Sequence, residues 1–207
     1  MVKLCMLAVW KQKKSEKMGE DAIGIRLCEA MDLSSFSFFT RGTIKEHLVF
    51  GARTVVSRAE PGSRQTITLD DAPVLLHVYV RFDGLAGVVV SDKDYPPRVA
   101  FALISKTLES FETRVGEKWK LVATDQDLAP PFLVEDLKTF QDPKADKLQA
   151  IQVHLDEIKD IMHQNIDMVL ERGESLDSLM EKSNDLSDSS KQFYKRAKQT
   201  NGCCRSW

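Results

Sequence analysis

Three groups of side chains in this 207-residue chain are of types that could do chemistry, and their spacing decides which of them can. Arg172 is a guanidinium set in an apolar line, a planar fork of five N–H donors that binds acceptors in a fixed geometry. Cys203 and Cys204 are adjacent thiols preceded by the basic cluster Lys191, Lys195, Arg196 and Lys198. Thiols beside basic charge suit lipid attachment. One acyl or prenyl chain holds a protein to a membrane only marginally, and a second chain or basic charge makes the anchor stable. Cys204 is the fourth residue from the end, the position of a prenylated cysteine, but Arg205-Ser206-Trp207 is not the aliphatic ending that prenylation prefers. The tail reads as prenylated at Cys204, as only reversibly acylated, or as unmodified.

The third group, His47, His77, His154 and His163, is scattered. His154 and His163 miss the i, i+4 spacing of shared metal ligands on a helix. Gly173 to Asp177 lacks the second glycine of a nucleophile elbow, and no phosphate-cradling glycine motif occurs. Catalytic residues and metal ligands are therefore expected to be none, and no cofactor is expected beyond a covalent prenyl or palmitoyl lipid. Cys5 and Cys28 lie in apolar, strand-like runs and read as small core residues. A net charge of -2 lacks the basic excess of a nucleic-acid binder. Four cysteines, two of them at the extreme end, make no disulfide framework and suit a reducing compartment. There is no secretory leader pattern and no run of 18 apolar residues, so membrane attachment would need another anchor.

Arg172 sits in a segment with a heptad signature. Leu148, Ile151, Leu155, Ile158, Met162, Val169, Leu176, Leu179, Leu186, Phe193 and Ala197 recur at steps of three and four. Asn165, Ser183, Ser190 and Thr200 share the register. As one helix the segment would be on the order of 80 Å long, more than a domain of this size can bury. It must pair with other chains, fold back in pieces, or stay partly unfolded. Gly173 and the run Asp185 to Ser190 weaken its helix, so it is expected to be marginal alone and ordered by binding. At a seam, Arg172 either snorkels out of an ordinary two-stranded coil or is met by neutral amide acceptors such as glutamine, which would fix the register.

The preceding residues must hold this arm. Lys3 to Trp10 and Ala22 to Met31 read as strands around a charged connection. A helix is predicted over Phe39 to Ser57, with Ile44, His47, Leu48, Val55 and Val56 near one face and Phe50 off it. Strands follow over Arg64 to Leu69, Val74 to Phe82 and Leu85 to Val90, the last two joined by the hairpin signal Asp83-Gly84. Tyr95-Pro96-Pro97 opens a helix to about Val115. The order β-β-α-β-β-β-α gives an α+β domain, a five-stranded antiparallel sheet packed with helices. Phe132 to Phe140 reads as a short helix that docks on the sheet or stands free.

Two regions carry a family resemblance. Val169-Leu170-Glu171-Arg172-Gly173-Glu174-Ser175-Leu176, with its flanking layers, resembles an R-SNARE motif. Asp32 to Phe39, His77 to Arg81 and Tyr95 to Phe101 resemble a longin SNARE. The resemblance implies a longin (profilin-like) domain over 1–140, a linker over 141–147, an R-SNARE coiled-coil helix over 148–202 and a lipidation tail over 203–207. It implies that Arg172 is the central ionic layer of a parallel four-helix bundle with three glutamine-donating helices (Qa, Qb and Qc). It implies prenylation at Cys204 and palmitoylation at Cys203. It also implies that the arm can rest against its own longin domain, where Phe50 is the candidate docking residue if it is not ordinary core. The expected location is the cytosol and the cytoplasmic face of Golgi, vesicle, endosomal or vacuolar membranes. A non-fusogenic adaptor with a coiled-coil arm is the second reading. An acyltransferase, which would need Cys5 or Cys28 accessible, is the third.

Overall fold

The computed structural model describes residues 4–14, 22–69, 73–126, 128–141, 151–158, 160–171 and 173–203, the last four by backbone alone. The first hairpin pairs β1 (Leu4–Lys13) with β2 (Ile23–Met31). α1 (Arg41–Arg58) follows a 3-10 turn at Phe38–Thr40, then come β3 (Arg64–Thr68), β4 (Val74–Val80), β5 (Leu85–Asp92) and α2 (Pro97–Val115). Each boundary has a local cause. Asp83 Oδ1 accepts the Leu85 N–H at 3.1 Å across the β4–β5 turn. Gly84 adopts φ +89° there, and a Cβ would stand 2.6 Å from the Gln12 carbonyl oxygen, so the turn requires glycine. Pro97 occupies the first turn of α2, where its missing N–H costs nothing.

The sheet order is β2-β1-β5-β4-β3-β6. Its first five strands pair antiparallel, as expected. β1 shows how both faces are built. Leu7 and Val9 join the core under α2, while Met6, Ala8 and Trp10 join the core under α1. α2 lies so close that a Cβ on Gly87 would stand 2.5 Å from Ile104 Cγ2. α3 (Pro131–Thr139) is docked rather than free. Leu133, Leu137 and Phe140 are buried in the α2-side core. Gln141 then bonds both the N–H and the carbonyl of Leu4, at 3.0 and 2.8 Å.

The sheet also holds a sixth strand that the sequence reading lacked. β6 (Met162–Asn165) comes from the heptad segment and pairs parallel with β3. The segment is not one helix here. It is broken into α4 (Gln152–Glu157), β6, α5 (Ile166–Val169), α6 (Leu176–Lys182) and α7 (Asp188–Cys203). Of the three fates open to it, this structure takes the folded-back one. A marginal helix former surrenders its regular geometry when a tertiary surface covers its apolar residues better.

Candidate functional site

The arm wraps the sheet domain from one face to the other. α4 lies on α2, where Ile151 and Ile158 are buried in the same core as Phe101 and Leu108. Arg98 Nη2 donates to the Leu155 carbonyl at 2.8 Å and fixes this contact. β6 then covers the β3 edge, with Thr66 opposite His163 and Thr68 opposite Asn165. The Thr68 hydroxyl donates to the Gln164 carbonyl at 3.2 Å. The opposite edge, β2, is met by Gln126 and Leu128, through Gln126 N–H to Arg26 O and Glu29 N–H to Leu128 O. Both rows of strand hydrogen-bonding groups thus have covers, one of them supplied by the arm.

Beyond the edge the arm descends on α1. The Asn165 side chain caps α5 by accepting the Asp167 N–H at 3.2 Å, and Ile166 enters the α1-side core. Ser175 caps α6 by accepting the Ser178 N–H at 3.2 Å. Phe50 is 7% exposed and packs with Met180 and Leu186, bordered by Leu176, Leu179 and Tyr194. Phe50 belongs to neither core of the sheet domain, and arm residues alone make up its buried cluster.

Polar contacts frame that apolar patch. Arg53 reaches Asp185 by Nε at 2.6 Å and Nη2 at 3.0 Å, also binds Asp125 and the Gly24 carbonyl, and lies over the Trp10 ring. Burial alone would lower the Arg53 pKa, but the Asp125 and Asp185 carboxylates outweigh it and raise it. Arg58 Nη2 lies 3.1 Å from Glu174 Oε2. Glu46 Oε2 accepts the Ser187 N–H at 2.7 Å. Burial would raise the Glu46 pKa, but the Ser187 N–H and the Ser190 and Ser187 hydroxyls hold it below its usual value.

The seam residues divide in this arrangement. Ile151, Ile158, Leu186 and Ser190 are buried against the sheet domain, and Leu155, Asn165, Val169, Leu176, Leu179 and Ser183 are half-buried. Met162, Phe193 and Ala197 are exposed. Ile166 and Met180, off the seam, are buried because the breaks in the helix change the period. Leu148, Arg172 and Cys204 lie outside the described residues, as do the side chains of Thr200 and Cys203. Cys5 and Cys28 are buried free thiols, pushed up to about 11 and about 12 chiefly by burial, which leaves them no thiolate for acyl transfer.

Periodicity did not single out Glu46, Arg53 and Arg58, because charged residues on a helix read as a solvated face. A usable signal was present. Glu46, Phe50, Arg53 and Ser57 recur at i, i+4, i+7 and i+11, a second stripe on α1 whose first three members meet the arm.

Comparison with known proteins finds two family models along the chain. The family model described as "Synaptobrevin" matches residues 147–203, and that described as "Regulated-SNARE-like domain" matches residues 33–132. The chain is 48% identical over 179 residues to the VAMP-like protein YKT61 of Arabidopsis thaliana, covering 86% of this chain and 88% of that one. It is 41% identical over 206 residues to the synaptobrevin homolog YKT6 of Yarrowia lipolytica, covering 98% of each. Among the described residues no helix is long and apolar enough to cross a membrane. An α+β sheet domain, a heptad arm bound to it and relatives matched along most of their length together place this chain in the longin-domain synaptobrevin homologues, a family of SNARE proteins and not of enzymes.

Proposed function

We propose that the chain is an R-SNARE whose arm has two mutually exclusive uses. Docked, it covers the longin surface and is held out of assembly. Released, it straightens and zips with three Q-SNARE helices, drawing two membranes together. The observation that best supports this is that Ile151, Ile158, Leu186 and Ser190, all seam residues, are buried on the sheet domain. The same side chains cannot also fill the layers of a four-helix bundle, so docking and zippering compete. Arg172 would supply the ionic layer, its donors met by neutral glutamine acceptors in the closed bundle.

The anchor in this reading is a palmitoyl chain on Cys203 and a prenyl chain on Cys204, supported by the basic cluster. The sites of action would be the cytoplasmic faces of Golgi, vesicle, endosomal or vacuolar membranes, with a cytosolic pool of the docked form. The test is assembly with Q-SNARE helices, comparing the wild type with Arg172→Ala. An R-SNARE gives a complex that the substitution weakens or re-registers. An adaptor gives partner binding that the substitution leaves intact.

A further inference from the structure

α6 and α7 form a helical hairpin tied by charge. Lys195 Nζ lies 2.5 Å from Glu181 Oε1, and Lys198 Nζ lies 2.6 Å from Asp177 Oδ2. Lys191 Nζ donates to the Glu181 carbonyl at 2.8 Å, and the Tyr194 hydroxyl donates to Asp177 Oδ1 at 3.0 Å. Three lysines of the basic cluster that precedes the paired cysteines are therefore already engaged by α6. The Lys198 and Tyr194 bonds hold the Asp177 carboxyl below its usual range, and Lys195 does the same for Glu181. We infer that the α6–α7 hairpin masks a binding surface for anionic lipid, with Asp177 and Glu181 as the internal competitors, and that straightening the arm exposes it.

The geometry makes the two states exclusive. Asp177 and Lys198 are 21 residues apart. In a continuous helix their Cα atoms would be separated by roughly 32 Å, and those of Glu181 and Lys195 by roughly 21 Å. Neither pair survives straightening. Each is also exposed enough to be weak, with side chains about half in solvent, so a bilayer needs little to displace it. An anionic leaflet attracts each nearby lysine by a factor of roughly five in binding. Coupling of this kind is reciprocal: whatever straightens the arm raises its affinity for anionic membrane, and anionic membrane favours the straight arm. The inference rests on the arm release proposed above and adds the residues that link release to the membrane surface.

The test uses the full chain without lipid modification and without partner helices. Asp177→Asn/Glu181→Gln is compared with the charge-matched control Glu157→Gln/Asp160→Asn, which removes two exposed arm carboxylates that lie outside the hairpin. Binding is measured by co-sedimentation with phosphatidylcholine vesicles with and without about one-third phosphatidylserine. The expected result is binding of the Asp177/Glu181 variant to the anionic vesicles roughly 5- to 20-fold tighter than the control. That gain should be lost in high salt and absent on neutral vesicles. Adding Lys195→Gln/Lys198→Gln to the variant should return it to the control level. Equal binding by variant and control, or an equal gain on neutral vesicles, overturns the masking. No Q-SNARE helix enters this measurement, so its failure would leave the assembly test with Arg172→Ala untouched, and the converse also holds.

Discussion

Arg53 grips Asp185 with two N–H donors, at 2.6 and 3.0 Å, across 132 positions of sequence. The same guanidinium holds Asp125 and the Gly24 carbonyl of the sheet domain. It therefore joins the sheet domain and the arm in one network, beside the Phe50 patch. A latch of this kind adds direction to what apolar packing alone would leave loose.

Asp185→Asn tests the latch without disturbing the sheet domain. The pair is partly screened, and its loss should cost the docked state roughly 1 kcal/mol. Amide exchange across Leu176–Leu186 should accelerate several-fold, while exchange in β1 and β5 stays unchanged. Uniform acceleration across the whole domain would mean that Asp185 serves global stability instead.

Phe50→Ala should loosen the arm more than the latch does. Removing a buried phenylalanine typically costs about 3–5 kcal/mol, and here the loss falls on the arm interface rather than on either sheet core. Limited proteolysis should cut the arm near residues 170–190 while the longin domain remains resistant. Phe50→Glu should in addition move protein in cells from cytosol to membrane. An unchanged partition would remove Phe50 from the docking role.

A pH dependence follows from His77. It is wholly buried on β4, with Nδ1 3.0 Å from the Thr66 hydroxyl and Nε2 3.0 Å from the Ser91 hydroxyl, and it meets the Phe101 ring edge-on. Ser91 donates its own proton to the Asp92 carbonyl, so Nε2 carries the imidazole hydrogen and Nδ1 accepts from Thr66. Burial, with a smaller push from His163, lowers its pKa to about 4. The unfolded chain binds that proton near pH 6.5, so between pH 6.5 and 4 it holds more protons than the folded chain. Stability therefore falls as pH falls through that window, by about 3 kcal/mol in total from this residue. Urea unfolding at pH 7 and pH 4.5 should show the drop, and His77→Gln should flatten it. An equal drop in both proteins would assign the effect to carboxylates.

Much of the sheet domain was legible because its signals are local. Asp83-Gly84 encodes a turn, Pro97 a helix start and Ile67 a buried strand position, and each sits where those rules place it. β6 was not legible. Met162-His163-Gln164-Asn165 has no strand pattern, and its extended form comes from pairing with the β3 edge, a tertiary effect. α1 was read as one-faced because Leu48, Val55 and Val56 outline the sheet side. Its other side carries Phe50 among charges, and its purpose appears only with the arm in place. Of the proposed site, Phe50 stands out in the sequence by its misfit to the stripe. Arg53 and Asp185 do not, because nothing local relates residues so far apart in sequence.

The central claim is that one segment serves either the longin surface or a four-helix bundle. Amide exchange at the β3 edge, Gln65 to Thr68, measured before and after adding Q-SNARE helices, tests this most directly. Assembly should strip β6 from β3, so that protection at this edge falls while protection across residues 151–199 rises to that of a continuous helix. A complete complex in which the β3 edge keeps its protection would contradict it.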